Sequence, residues 1–232
     1  MSTPHNAEKV AAINDTIRYT NWTTWKKTGT IVSGAEAKKE LQAFVDSLTS
    51  QDIDLRGAYD LRGLRADADL MLWIHGPTAE GVQEAIRAFG LTSAGSAFSN
   101  TWAGMGLHRP AEFNRSHVPG FMLGAEPRKW LCMYPFVRSY DWYLLPEPER
   151  REMLIEHGKA GSVYPQIISS TVASFALGDY EWLLALESDE LHDLVDMMRD
   201  LRYTSARLHV REEIPFFTGQ RFDPTEIGEL FQ

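Results

Sequence analysis

The sequence predicts an α+β protein made of two ferredoxin-like βαββαβ repeats, which together form a dimeric α+β barrel within one chain. Three observations lead there. Segments with the β-branched and aromatic content of strands alternate with segments of helical apolar spacing, in the same order in each half. The run DLMLWIHGPTAEGVQEAIRAF at 69–89 has a counterpart in YEWLLALESDELHDLVDMMRDL at 180–201, each an apolar strand, a capping residue and an acidic amphipathic helix. The chain has 232 residues, 44% of them hydrophobic, enough for a sizeable core.

Residues 1–14 read as a flexible N-terminal arm. The N-terminal half spans 15–108. Residues 17–26 (IRYTNWTTWK) have strand composition, and 34–49 carry Ala37, Leu41, Phe44, Val45 and Leu48 on one helical face. Residues 53–59 and 69–75 form paired strands around the charged stretch RGLRADA. Residues 78–90 form a helix opened by Thr78 and stopped by Gly90, and 96–107 return as a strand. A connecting segment, 109–128, follows. It is long for a compact domain, and long ordered loops are often functional.

The C-terminal half, 129–232, repeats the order. Residues 129–138 are a strand, and 147–157 are a helix that begins after Pro146, tolerates Pro148 in its first turn and stops at Gly158. Residues 166–177 and 180–187 pair around the turn LGD. Residues 188–201 form a helix with Ser188 as N-cap, and 204–212 close as a strand before IPFFTG.

Charge and composition narrow the function. The chain holds 23 basic and 32 acidic residues, a net −9, which argues against a broad nucleic-acid surface while leaving room for a small basic pocket. A lone cysteine, Cys132, makes neither an internal disulfide nor a paired-cysteine metal site, so a reducing cytoplasm is the natural setting. No secretory signal and no apolar run of membrane length is expected.

Seven histidines show no dense zinc spacing, but a haem iron needs only one protein ligand. The stretch YPFVRSYDWYLLPEPERREMLIEHG at 134–158 concentrates the candidates. His157, next to Gly158, is either a helix-terminal histidine complementing the dipole or an axial ligand aimed into a pocket. Tyr134, Phe136 and Arg138 alternate and share one strand face. By position alone Tyr134 and Trp182 suit core packing, Arg138 a solvated strand end, and Trp142 and Tyr143 loop anchors.

The same stretch resembles the coproheme decarboxylases of the chlorite dismutase-like superfamily, most closely the actinobacterial type. The Tyr-Pro strand, the basic residue four positions on, the W-Y-x-L-P segment, the arginine-rich helix and the His-Gly pair carry the resemblance, together with SHVPGF in the connection and the closing FFTG. It implies a peroxide-dependent enzyme that converts iron coproporphyrin III to haem b by oxidative decarboxylation of two propionates. It further implies His157 as axial iron ligand, Tyr134 as radical-forming residue, His117 as distal acid–base group, and Arg138, Trp142 and Trp182 around the porphyrin. Chlorite dismutases place an arginine above the iron. The resemblance puts that position at Ala206 in TSARLHV, with Arg207 pointing elsewhere, although a shift of one register would bring Arg207 in; Arg207 is kept as a substrate-binding candidate. A cytoplasmic homopentamer and an upstream ferrochelatase are implied partners. The alternatives are a chlorite dismutase or other haem peroxidase, and a non-enzymatic haem carrier or sensor on the same fold.

Overall fold

The computed structural model describes residues 4–232. In chain order the elements are α1 (Pro4–Asp15), β1 (Tyr19–Lys27), α2 (Ala35–Thr49), β2 (Asp54–Asp60), β3 (Leu70–Gly76), α3 (Ala79–Leu91), β4 (Phe98–Leu107), β5 (Trp130–Arg138), α4 (Glu147–Gly161), β6 (Ile168–Ala173), β7 (Trp182–Ser188), α5 (Leu191–Leu201), β8 (Val210–Glu212), β9 (Phe217–Phe222) and α6 (Ile227–Leu230). They fall into two compact units.

One unit comprises Thr16–His108 and Phe217–Gln232. Its strands run β4-β1-β3-β2-β9, antiparallel at each of these pairings. Helices α2 and α3 lay Leu41, Phe44, Leu48, Val82, Ala85 and Phe89 onto Trp25, Leu70, Leu72 and Ile74. Thr78 caps α3 by accepting the Gly81 N–H through its side chain, as its sequence position indicated.

The other unit comprises the described part of the N-terminus, Pro4–Asp15, with Arg109–Phe216. Its strands run β6-β7-β5-β8, again antiparallel. Helix α5 packs Leu194 and Met197 against Cys132, Tyr134 and Leu186. This unit holds every site residue named above.

Several expectations are corrected. The C-terminal half does not run from 129 to 232. Phe217–Gln232 belong to the first unit, because β9 pairs with β2 (Ala58 opposite Phe222) and Ile227 and Phe231 enter that unit's core. Where an arm was expected over 1–14, Pro4–Asp15 form α1; Lys9 Nζ donates to the Leu123 carbonyl at 2.7 Å and Asn14 Nδ2 to the Arg115 carbonyl at 2.8 Å. Residues 1–3 lie outside the described residues. Helix α3 passes Gly90 and ends at Leu91.

Ser188 closes β7 and does not cap α5, which begins at Leu191. Its hydroxyl accepts the Glu190 N–H at 3.3 Å instead, a local bond that serines offer outside helices. The closing strand over 204–212 is mostly a 3-10 turn, Ser205–His209, with only Val210–Glu212 extended; the Arg207 N–H donates to the Thr204 carbonyl at 3.0 Å. The strand read over 166–177 is confined to Ile168–Ala173.

Candidate functional site

The helix that carries His157 does not stop at Gly158. Helix α4 continues to Gly161, where Ser162 N–H donates to the Gly158 carbonyl. Gly158 is therefore an ordinary helical residue, and a Cβ there would meet nothing within 4 Å. His157 sits one turn inside the C-terminus. None of the fifteen residues of α4 is buried, and Ile155 is half exposed. For a helix of this length packed in a unit, that leaves a face with no protein against it.

Two groups fix this helix. Glu156 accepts the Ser205 N–H at 2.8 Å and the Ser205 hydroxyl, tying α4 to the 3-10 turn. Arg150 donates to the Leu145 carbonyl at 2.5 Å and to Glu112 of the connecting segment. The imidazole Nδ1 of His157 lies 3.5 Å from Thr204 Oγ1, whose own proton goes to the Leu201 carbonyl at 2.9 Å. A proton on Nδ1 can thus point at that oxygen, leaving the Nε2 lone pair free for a metal. Burial lowers the His157 pKa, and the positive charge of Arg138 lowers it further, as does that of His117 where it is protonated.

The same unit also holds His117. His117 stands on the connecting segment, in a turn closed by its N–H on the Asn114 carbonyl at 2.9 Å. The segment is anchored to β6, where Gly120 N–H donates to the Ser169 carbonyl at 3.0 Å. A Cβ at Gly120 would fall 2.2 Å from Ile168 Cγ2, so this close approach requires glycine. The His117 ring is exposed, yet neighbouring atoms desolvate it enough to lower its pKa. Both imidazoles are therefore neutral at neutral pH: one can offer a lone pair to a metal, the other can accept a proton.

Tyr134 and Arg138 occupy the same face of β5. Tyr134 is 4% exposed, stacks on Phe216 with centroids 4.5 Å apart, and points its hydroxyl at the Met198 sulfur, 3.6 Å away. Burial raises its pKa strongly. The Arg138 guanidinium lies over the Trp142 ring at 4.2 Å and the Phe136 ring at 5.0 Å. Among the described residues it has no ion pair, and burial lowers its pKa. A desolvated guanidinium cushioned only by aromatic faces is a receptive site for a carboxylate.

Trp142 is buried beneath Arg138, with its other neighbour the His209 ring at 5.4 Å. Trp182 stacks on Phe136 at 6.2 Å and donates its indole N–H to Tyr143 Oη at 3.1 Å. Arg207 differs from Arg138: it donates to Glu213 at 2.7 Å, and Arg202 donates to the same carboxylate at 2.9 Å. Arg207 and Arg202 thus share a single carboxylate, which holds the Arg207 guanidinium in an ion pair. Ala206 is buried and offers only a methyl group.

Sequence reading missed Glu181, Glu213, Thr204 and Phe216, and took Tyr143 for a loop anchor. Glu181 accepts the Arg138 N–H at 2.9 Å and the Tyr143 O–H at 2.8 Å. No sequence signal marks it, because its partners are 43 and 38 residues away. Among the described residues no cluster of three or more His, Cys, Asp or Glu side chains could hold a metal ion, so a metal here would come with its own ligands and take one imidazole.

These features define an α+β protein of two ferredoxin-like repeats, with an imidazole whose Nε2 is left open and a guanidinium without an ion pair among the described residues, both in one of its units. The chlorite dismutase family model matches residues 34–222. A protein of Mycolicibacterium smegmatis named coproheme decarboxylase is 49% identical over 217 residues, covering 90% of this chain and 92% of that one. The structure of chlorite dismutase from Candidatus Nitrospira defluvii in complex with imidazole superposes with a TM-score of 0.82 at 21% identity, covering 97% of this chain and 99% of that one. The chain belongs to the chlorite dismutase family.

Proposed function

We propose that this protein is a coproheme decarboxylase, an oxidoreductase that converts iron coproporphyrin III to haem b by peroxide-dependent loss of two propionate carboxyl groups. The observation that carries the reading is the Arg138 guanidinium, without an ion pair and laid over the Trp142 and Phe136 rings, in the same unit as the His157 imidazole. An iron porphyrin with four propionates supplies both partners this arrangement lacks: a metal for a neutral imidazole and a carboxylate for a half-buried guanidinium. The relative at 49% identity bears the same activity in its name.

The substrate iron supplies the redox chemistry when peroxide reacts with it. His157 ligates it through Nε2, held by the contact of Nδ1 with Thr204. His117, neutral because of desolvation, takes a proton from peroxide and returns it to the departing oxygen. Arg138 holds a propionate through paired charge-assisted hydrogen bonds, with Trp142 and Trp182 forming aromatic walls. Tyr134 gives its O–H hydrogen to the peroxide-oxidised substrate and then takes one from the propionate carbon; that carbon loses one further electron to the same oxidant as carbon dioxide leaves, so each peroxide accounts for one decarboxylation. The raised pKa of Tyr134 keeps the O–H intact at all working pH values, so it acts as a hydrogen-atom relay and not as a base. Arg207 contributes to this surface through Glu213 and not by direct carboxylate binding.

In this reading the protein works as a cytoplasmic homopentamer that takes iron coproporphyrin from a ferrochelatase-type enzyme. Among the described residues no helix is long and apolar enough to cross a membrane. Chlorite decomposition is disfavoured by Ala206, which cannot steer an oxychlorine anion. The experiment is to mix the protein with iron coproporphyrin III, titrate hydrogen peroxide and follow porphyrin mass. Two successive losses of carbon dioxide are expected. Binding without mass change would leave a carrier, and oxygen release from chlorite would return the rival enzyme.

A further inference from the structure

The free guanidinium of Arg138 raises a problem that the fold has to solve. Glu181 is close enough for its charge to act on Arg138. A carboxylate beside a desolvated guanidinium ordinarily forms an ion pair, and such a pair would block any substrate carboxylate. Yet no ion pair joins them. Glu181 Oε2 instead accepts two other donors: the backbone N–H of Arg138 at 2.9 Å and the Tyr143 hydroxyl at 2.8 Å. The Tyr143 oxygen is itself held by the Trp182 indole N–H at 3.1 Å. The carboxylate is thereby fixed against the strand backbone while the guanidinium stays over the rings of Trp142 and Phe136.

We propose that Tyr143 is a positioning residue that keeps Glu181 off the Arg138 guanidinium, reserving that guanidinium for a carboxylate of the substrate. The inference rests on the reading of the site as one for a porphyrin carboxylate. Its chemistry is a competition between two anions for one cation. The Tyr143 O–H stabilises Glu181 in the orientation that does not compete, and Trp182 holds the phenol in place. Removing the hydroxyl takes away one of the two hydrogen bonds on Glu181 Oε2 and leaves only the Arg138 N–H to orient the carboxylate, which can then turn toward the Arg138 guanidinium. The internal ion pair becomes the resting state, and a substrate propionate has to displace it. Removing the charge of Glu181 as well eliminates the competitor, so the second change repairs the first. A hydroxyl whose role was only to stabilise the fold would show the opposite behaviour, with the second loss adding to the first.

The test is an absorption titration of ferric coproporphyrin III, without peroxide, into wild type, Tyr143→Phe, Glu181→Gln and the double variant. Wild type is expected to bind, Tyr143→Phe to bind about tenfold more weakly, the loss of a charge-assisted contact, and the double variant to return to near wild-type affinity. In an Arg138→Ala background Tyr143→Phe should change nothing further. Wild type that fails to bind would overturn the function on which the inference rests. Wild type that binds, with Tyr143→Phe equally tight or with no rescue by Glu181→Gln, would overturn the guard role alone. Should Tyr143→Phe fold poorly, Glu181→Gln by itself decides: it should bind ferric coproporphyrin III at least as tightly as wild type, and weaker binding would make Glu181 a supporting contact and sink the proposal.

Discussion

Tyr134 is pulled between two roles by its surroundings. It belongs to the apolar cluster between β5 and α5, stacked on Phe216, with a sulfur as its hydroxyl's partner. Sulfur is a weak acceptor, so Tyr134→Phe should cost under about 1 kcal/mol in urea unfolding. The same change should leave ferric coproporphyrin binding intact and abolish decarboxylation, because phenylalanine has no O–H to give up. Haem b formed at the wild-type rate would return the residue to a packing role. His117 separates in a different way. Its pKa is lowered, so it already acts as a base below the ordinary imidazole range. His117→Ala should slow the reaction with peroxide on the order of a hundredfold near neutral pH, the range for a lost acid–base group, with substrate affinity little changed. Stopped-flow mixing across pH measures this, and an unaltered pH profile would remove the residue from the mechanism. Both residues were legible in the sequence only through the pattern they share with relatives, since periodicity alone put Tyr134 in the core, where its contacts indeed lie.

Among the elements, α4 shows most directly what the sequence could and could not say. Its start was marked by Pro146 and Pro148, but Gly158 suggested an end that the backbone does not take. Glycine in a helix interior costs roughly 0.5–1 kcal/mol relative to alanine without forbidding the helix. The cost is recoverable, because a Cβ at Gly158 meets open space. Gly158→Ala should raise the stability of the ligand-free protein by about 0.5–1 kcal/mol, measured by urea unfolding. A loss of stability would mean that the helix breaks at Gly158 in solution. The other misread elements share a physical cause. Ser188 and the 204–212 segment were assigned by local propensity, whereas Ser188 continues a β7 ladder paired with both β5 and β6, and Thr204 initiates a turn whose bonds run to α4. Helix α1 carries little apolar patterning of its own and is fixed by long-range bonds to the Leu123 and Arg115 carbonyls, which no window of local sequence contains. Helices α2 and α3, with strong periodicity, and β3, a continuous apolar run, were found to within a residue or two.

For the whole chain, the duplicated order of elements was readable because each repeat carries its own apolar pattern, whereas the exchange of Phe217–Gln232 into the first unit depends on one strand pairing and two buried side chains. Both units hold histidines that burial keeps neutral, and this gives the protein's stability a definite pH dependence. His117 and His157 are lowered in one unit. In the other, burial first and then the charges of Arg18 and Arg56 bring His75 down to about 3. Arg18 Nε donates to its Nδ1 at 2.9 Å, and Asp54, 3.5 Å away, does not offset the burial. In each case the unfolded chain binds a proton more readily than the folded one below pH 6.5, so stability is intact above that value and falls as pH drops through it. For His75, with folded and unfolded values of about 3 and 6.5, the loss at pH 5 is about 2 kcal/mol relative to neutral pH. Asp67 and Asp223, both lowered, add losses of the same sign nearer pH 4. Urea unfolding followed by tryptophan fluorescence should therefore give a midpoint that is flat from pH 7 to 8 and declines steeply between pH 6 and 5. His75→Gln keeps a side-chain oxygen to face Arg18 and removes the titration. It should lower stability at neutral pH and shrink the difference between pH 7 and pH 5 by about 2 kcal/mol. An unchanged difference in that variant would show that His75 already carries its proton in the folded protein.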